Sequence, residues 1–329
     1  MRVFDSRPIA AHLYVTERCN LRCGYCTEYD NSVPHPPLDD VRRWIDHLAG
    51  LGCLRIGLQG GEPLLHPDIA RIVRHVKDAG MGCSLATNGF LLTAETVRTL
   101  EVAGLDDLHL SVDQVAPSPE SRKCLELLAP KLDLLRGSRL RAHMTAVLYG
   151  GSVEELPALF TAAAARGFTF KAHLVHRGTG GTFTIEPGER ERLLRFVDWE
   201  IAEKRRGRPV RHTFAILDYQ RSLLTGEQRA WTCLAGYKYL FVSARGALWT
   251  CSMNRAPGID LLSVTPETLR TFNKPKPCQA GCGVYCVVAE SLVNNHPLRF
   301  LGGEIGPLIA GRLGLHRAVT GEAGPAKRT

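Results

Sequence analysis

The sequence predicts an α/β protein of parallel strands joined by helices, and three observations carry that prediction. Between residues 11 and 206 short β-type runs alternate six times with longer amphipathic stretches; parallel strands require such crossovers, usually helical. Polar and glycine-rich groups gather where those short runs end, which is where parallel α/β folds bind their ligands. The hydrophobic fraction is 44% and no window reaches the length of a transmembrane helix, so no bilayer is needed to bury the apolar residues.

In chain order, strands are expected at 11–16, 54–58, 82–87, 107–112, 140–147 and 168–175, each followed by a helix, at 39–51, 67–79, 94–103, 120–135, 153–166 and 187–206. Alternation alone allows either a barrel or a doubly wound open sheet. Period two also assigns faces. If Ser111 faces inward, so do His109 and Asp113 on the fourth strand. Polar phasing then turns inward His12, Tyr14 and Thr16, Arg55 and Gln59, Arg141, His143 and Thr145, and Lys171 and His173, while Leu13, Val15, Ile56, Leu58, Leu108, Leu110, Met144 and Leu174 point at the helices. The inner face so drawn is polar and biased toward positive charge. His12, Tyr14, Arg55, Gln59, Arg141, His143, Lys171 and His173 are the candidates for holding a substrate, because a buried cation needs a partner and an anionic ligand can be one. Pairing with Asp113 or Glu62, or exposure at strand ends, is the alternative.

Residues 1–206 thus form one body. Residues 207–230 read as a mixed connector, with breakers at Gly207-Arg208-Pro209 and at Gly226. Residues 231–290 carry a second set of cysteines around an expected hairpin, 239–242 and 247–250, and residues 291–329 read as an apolar packing segment with a frayed tail.

Eleven cysteines in a chain without a recognisable export signal fit reduced thiols and metal ligands, and point to the cytoplasm. The net charge of +8 is spread along the chain, with only residues 204–206 forming a compact basic run. That argues against a dedicated nucleic-acid binder. Cys53, Cys83 and Cys124 stand apart and read as small buried apolar residues.

Cys19, Cys23 and Cys26 lie in the run CNLRCGYC, spaced C-x3-C-x2-C. Three thiolates can hold three corners of a [4Fe–4S] cubane, which normally takes four, so one iron is left open. A zinc site or unrelated core thiols is the alternative. With Tyr25 before the last cysteine and a strand just upstream, this motif resembles that of the radical S-adenosylmethionine (SAM) superfamily. The resemblance implies a partial (β/α)6 TIM-like barrel. It also implies SAM chelated on the open iron, and a 5′-deoxyadenosyl radical that abstracts hydrogen from an unactivated carbon.

Gly60-Gly61-Glu62-Pro63 resembles the family's GGEP motif, with glycines that let the backbone approach a ligand and a glutamate placed to accept from the ligand's ammonium. Asn88, Ser111 and Asp113 match positions where relatives contact SAM. A turn residue for Asn88 and helix caps for the other two are the alternatives. Cys233, Cys251, Cys278, Cys282 and Cys286 resemble a SPASM or Twitch iron–sulfur domain, although the C-x3-C-x3-C run departs from the SPASM pattern. Five thiols suffice for one auxiliary [4Fe–4S] cluster. Its expected ligands are Cys233, Cys251, Cys278 and Cys282, with Cys286 the rival to either of the last two or a hydrogen donor. A structural zinc is the alternative.

The resemblance further implies a reducing partner such as flavodoxin or ferredoxin. The first strand begins almost at once, without a leader-recognition domain before it, which favours a small, carboxylated substrate. The chain looks most like sugar-modifying enzymes of antibiotic biosynthesis, in particular the decarboxylase for cytosylglucuronate. A sugar or aminocyclitol dehydrogenase or epimerase, and a peptide maturase, are the alternatives.

Overall fold

Six strand–helix units run in sequence through a computed structural model that describes residues 7–175, 185, 187–227, 229–295 and 297–312. They are β1 (Ala10–Thr16), α1 (Leu38–Gly50), β2 (Arg55–Gly60), α2 (Ile69–Asp78), β3 (Gly82–Thr87), α3 (Ala94–Ala103), β4 (Asp107–Ser111), α4 (Leu125–Asp133), β5 (Arg141–Leu148), α5 (Leu156–Ala164), β6 (Thr169–Leu174) and α6 (Pro187–Arg205). Every expected element is present, with ends shifted by a few residues. The largest shift is at α4, where residues expected to open the helix form a loop.

Strands β1 to β6 lie side by side in chain order and are parallel throughout. A doubly wound sheet reverses its strand order at a switch point. No reversal occurs here, so the sheet curls as a partial barrel. Its two faces differ as period two requires. On β3, β4 and β6, Cys83, Leu85, Leu108, Leu110, Phe170, Ala172 and Leu174 are buried in one core with the helices, while Ser84, Ala86, His109, Ser111, Lys171 and His173 are half-buried on the inner face. The inward residues expected within β4 and β6, namely His109, Ser111, Lys171 and His173, are therefore found on this face.

The carboxyl-terminal third departs from expectation twice. Residues 207–230 contain a helix, α7 (Phe214–Thr225), capped by the Thr213 side chain accepting from Ile216 N and ended by Gly226 at φ 80°. The cysteine-bearing part does not form a sheet of its own. Its strand β7 (Tyr239–Val242) pairs in parallel with β1, in register Ala10↔Tyr239 to Leu13↔Val242. Strands β8 (Ala247–Trp249) and β9 (Ile259–Asp260) then extend the same sheet antiparallel, making nine strands. All four residues of β7 are buried, as a strand inside a sheet demands. The helices α8 (Pro266–Arg270), α9 (Tyr285–Asn295) and α10 (Pro297–Arg312) follow. The expected terminal tail, 321–329, lies outside the described residues.

Candidate active site

Beyond β1 the chain enters the cysteine loop, and the glycines that follow β2 clamp it. Gly61 N donates to Thr16 O at 3.1 Å and Glu62 N to Arg18 O at 2.8 Å. A Cβ at Gly60 would lie 2.1 Å from Thr16 O, and one at Gly61 2.4 Å from Arg18 O. The cysteine loop's own backbone thus makes a close approach that requires glycine. Glu62 is fully buried, and its carboxylate accepts from Leu64 N (3.0 Å), Thr87 Oγ1 (2.7 Å) and Asn88 N (2.7 Å). Burial raises its pKa while these bonds oppose the rise. Glu62 thus ties the ends of β2 and β3 together. Pro63 opens a short 3-10 turn capped by Glu62.

Asn88 reaches across to the loop, its Nδ2 donating to Asn20 Oδ1 at 2.7 Å. Asp113 is also engaged by its own chain. Only 1% exposed, it accepts from Tyr25 OH, Ser121 Oγ (2.8 Å) and Val147 N (3.3 Å), and pairs with Lys123 Nζ at 3.2 Å. The Lys123 ammonium also lies 4.9 Å from the Tyr25 ring centroid. Tyr25 and Asp113 therefore brace the loop. Between loop and sheet lies a cleft of about 170 Å³, lined by Cys19, Cys23, Cys26, Glu28, Gln59, Gly60, Gly61, Asn88, Ser111 and Lys123 among others. Lys123 and Glu28 carry no motif signal in the sequence.

The expected substrate contacts divide by height along the strands. Arg55 is exposed at the start of β2 and pairs with Glu290. Arg141, exposed at the start of β5, makes a two-pronged contact with Asp107 at 3.0 and 2.8 Å. Buried His143 is held between Thr169 Oγ1 and Asp107 Oδ1, both at 2.7 Å. These three close the end of the sheet opposite the cysteine loop, so the expectation that they hold substrate is corrected.

Nearer the cleft, His12 Nε2 meets Tyr239 OH (2.6 Å) and Gln59 Nε2 (3.1 Å), and burial, with Lys171 and Arg55 nearby, pushes its pKa down to about 3. Tyr14 OH donates to Glu28 Oε2 at 2.8 Å, and Arg255 holds the same oxygen at 2.6 Å, which ties the cysteine loop to the carboxyl-terminal part. Lys171 and His173 stand half-buried on the inner face of β6.

Residues 13–160 match the radical SAM superfamily model. The chain carries a radical SAM domain. An AdoMet-dependent heme synthase of Methanosarcina barkeri is 28% identical, over 82% of this chain and 86% of that protein. A PqqA peptide cyclase of Bradyrhizobium diazoefficiens is 31% identical, over 46% of this chain and 42% of its own length. Among solved structures, Streptococcus suis SuiB bound to S-adenosylmethionine superposes with TM-score 0.62 at 17% identity, covering 85% of this chain and 68% of that one. The anSMEcpe enzyme with bound AdoMet gives 0.61 at 14% identity, covering 89% and 98%. At such identities the likeness is one of fold, and it matches the partial barrel.

SAM and [4Fe–4S] clusters are the cofactors of the radical SAM class, and the residues of this domain fit them. Soft thiols select iron–sulfur or zinc, and three of them border the cleft. Burial raises Cys19 and pushes Cys26 up to about 11, so a bound metal is what would keep them as thiolates at neutral pH. Among the described residues no three His, Cys, Asp or Glu side chains are gathered as ligands of one metal ion. A cubane instead spreads its thiolates over separate irons.

Two cysteines of the second set differ in their surroundings. Cys282, pushed up to about 12 by burial, feels Cys251, Cys233 and Cys278. Cys286, also pushed up to about 12 by burial, has Cys251 as its thiol neighbour, bonds the Tyr239 hydroxyl and has Lys171 nearby.

Proposed function

We propose that this protein is a radical SAM enzyme that modifies a peptide in the lumen of its partial barrel, with Cys19, Cys23 and Cys26 holding the catalytic cluster. Backbone at Gly60 and Gly61, with Asn88 and Ser111, would border SAM. Cys233, Cys251, Cys278 and Cys282 would hold one auxiliary cluster. At the three-thiol cluster, SAM would supply on one-electron reduction a 5′-deoxyadenosyl radical able to take hydrogen from an unactivated carbon. The observation that carries the reading is that the three-thiol cleft is also lined by Gln59, Ala86 and Ser111 from the half-buried face of the sheet. The residues themselves clamp the loop (Gly60, Gly61, Glu62), brace it (Asp113, Lys123) and link it to the auxiliary part (Glu28, Arg255).

A peptide substrate is favoured by the PqqA peptide cyclases among the relatives. Those matches at 30% identity or more span less than half of the relatives' length, so their activity supports the reading without defining it. One observation favours a second reading, decarboxylation of a uronosyl nucleoside such as cytosylglucuronate. The lumen carries Lys171 without a carboxylate beside it.

The test is anaerobic reconstitution followed by incubation with SAM and dithionite, with 5′-deoxyadenosine as readout of the class. Candidate precursor peptides and cytosylglucuronate are then added separately. A mass change in a peptide supports the main reading, and CO2 release from the uronate supports the second. Absence of 5′-deoxyadenosine from protein with its full complement of iron overturns both.

A further inference from the structure

We propose that Thr145 and Lys171 form a carboxylate-binding subsite on the inner wall of the barrel, which fixes the acidic group of the substrate. The inference rests on the reading of the lumen as the substrate chamber and names the group bound there.

The register places Ser111, Thr145 and Lys171 abreast on neighbouring strands, Ser111↔Thr145 and Thr145↔Lys171. All three occupy the half-buried face. Ser111 borders the cleft of the three thiols. Adjacent strands lie about 4.8 Å apart, so Lys171 is about 10 Å across the sheet from Ser111. That is close enough to hold one end of a small molecule or side chain whose other end lies in the cleft.

Three polar groups here lack an acceptor or donor. Lys171 makes no hydrogen bond or ion pair with any described residue, while Thr145 Oγ1 and His109 Nδ1 are buried without a partner. The nearby carboxylates are already engaged, Asp107 by His143 and Arg141 and Asp113 by Lys123. The other titratable groups around Lys171 are Arg211, His12, His109, His143, His212 and the Cys286 thiol. Each imidazole is pushed down by burial and stays neutral, so none supplies negative charge.

A half-buried ammonium without a counter-ion is unfavourable, and burial with Arg211 beside it pushes Lys171 down to about 8. One cation, one hydroxyl and one neutral imidazole match a monoanion with two acceptor oxygens.

The test measures binding, without turnover, to the reconstituted holoenzyme by isothermal titration at pH 7. The probes are glucuronate against glucose, and the tripeptide Ala-Glu-Ala against Ala-Gln-Ala. The acid of at least one pair is expected to bind at least tenfold more tightly than its neutral partner, and which pair does so distinguishes a sugar from a peptide source. Lys171→Gln abolishes the difference, Lys171→Arg keeps most of it, and Thr145→Val reduces it several-fold. In the wild-type protein the preference fades as pH rises beyond the lysine's titration, a readout that stands if a variant does not fold. Equal binding of acid and neutral probes, or a preference unchanged in Lys171→Gln, overturns the subsite. Because no radical step is involved, a failure here is separate from failure to form 5′-deoxyadenosine.

Discussion

At Gly61 one methyl group would decide the shape of the cysteine loop. Its Cβ would meet Arg18 O at 2.4 Å, a backbone atom that cannot swing aside. Gly61→Ala is therefore expected to cost about 1–3 kcal/mol, as overpacking does, and to spoil the first cluster more than the second. Iron analysis after anaerobic reconstitution checks this: roughly half the wild-type iron is expected, and a full complement would show that the clamp is dispensable.

The same scale separates two ion pairs. Asp113 and Lys123 are 1% and 13% exposed, whereas Glu191 and Arg195 on α6 are 80% and 63% exposed. Asp113→Asn strands a buried ammonium and is expected to cost about 3–5 kcal/mol. Arg195→Ala should cost less than about 0.5 kcal/mol. Urea midpoints compare them, and equal losses would mean that burial does not govern these pairs.

Among the elements, the β7–β8 turn is the point where the carboxyl-terminal part docks on the barrel. Gly246 sits there at φ 74°, with its missing Cβ directed 2.6 Å from the Trp44 ring of α1. Gly246→Ala adds left-handed strain of about 1–2 kcal/mol to that overlap, and should lower the melting temperature while loosening the second cluster more than the first. Selective loss of the first cluster's spectroscopic signal would contradict this.

How much of this was legible follows the same division. The six strand–helix units and the inward phase of Ser111, Lys171 and His173 are periodic, local signals, and period reads them directly. The joining of β7 to β1 depends on pairing between residues more than two hundred positions apart, which no local pattern encodes. The helix α7 is masked in the sequence because breakers flank it, Gly207 and Pro209 before its Thr213 cap and Gly226 at its end. Glu62 and Asp113 carried the right motif letters, yet which partners use up their oxygens depends on Thr87, Asn88, Tyr25 and Lys123 arriving from other elements. Arg55 and Arg141 have the right phase but the wrong height on their strands.

Over the whole molecule, the buried imidazoles set the response to acid. His12 is pushed down to about 3, and His109 and His212 well below their ordinary value, in each case chiefly by burial and secondly by Lys171. On unfolding each takes up a proton near pH 6.5. The unfolded chain then binds more protons than the folded one, so stability falls as pH drops below about 6.5, by up to about 1.4 kcal/mol per unit for each histidine. Glu200 acts in the opposite sense. Fully buried and raised well above its ordinary value by burial, it keeps its proton in the fold and loses it on unfolding above about pH 4.5. His143 is lowered and Glu62 raised by burial in the same two senses, so the imidazoles still outnumber the carboxyls and the net slope between pH 4.5 and 6.5 is expected to be positive. Urea unfolding of the metal-free chain at several pH values in that window measures it without interference from cluster loss. Replacing His12 by Gln should remove about one proton from the slope, and an unaltered slope would mean that His12 does not stay neutral in the folded barrel.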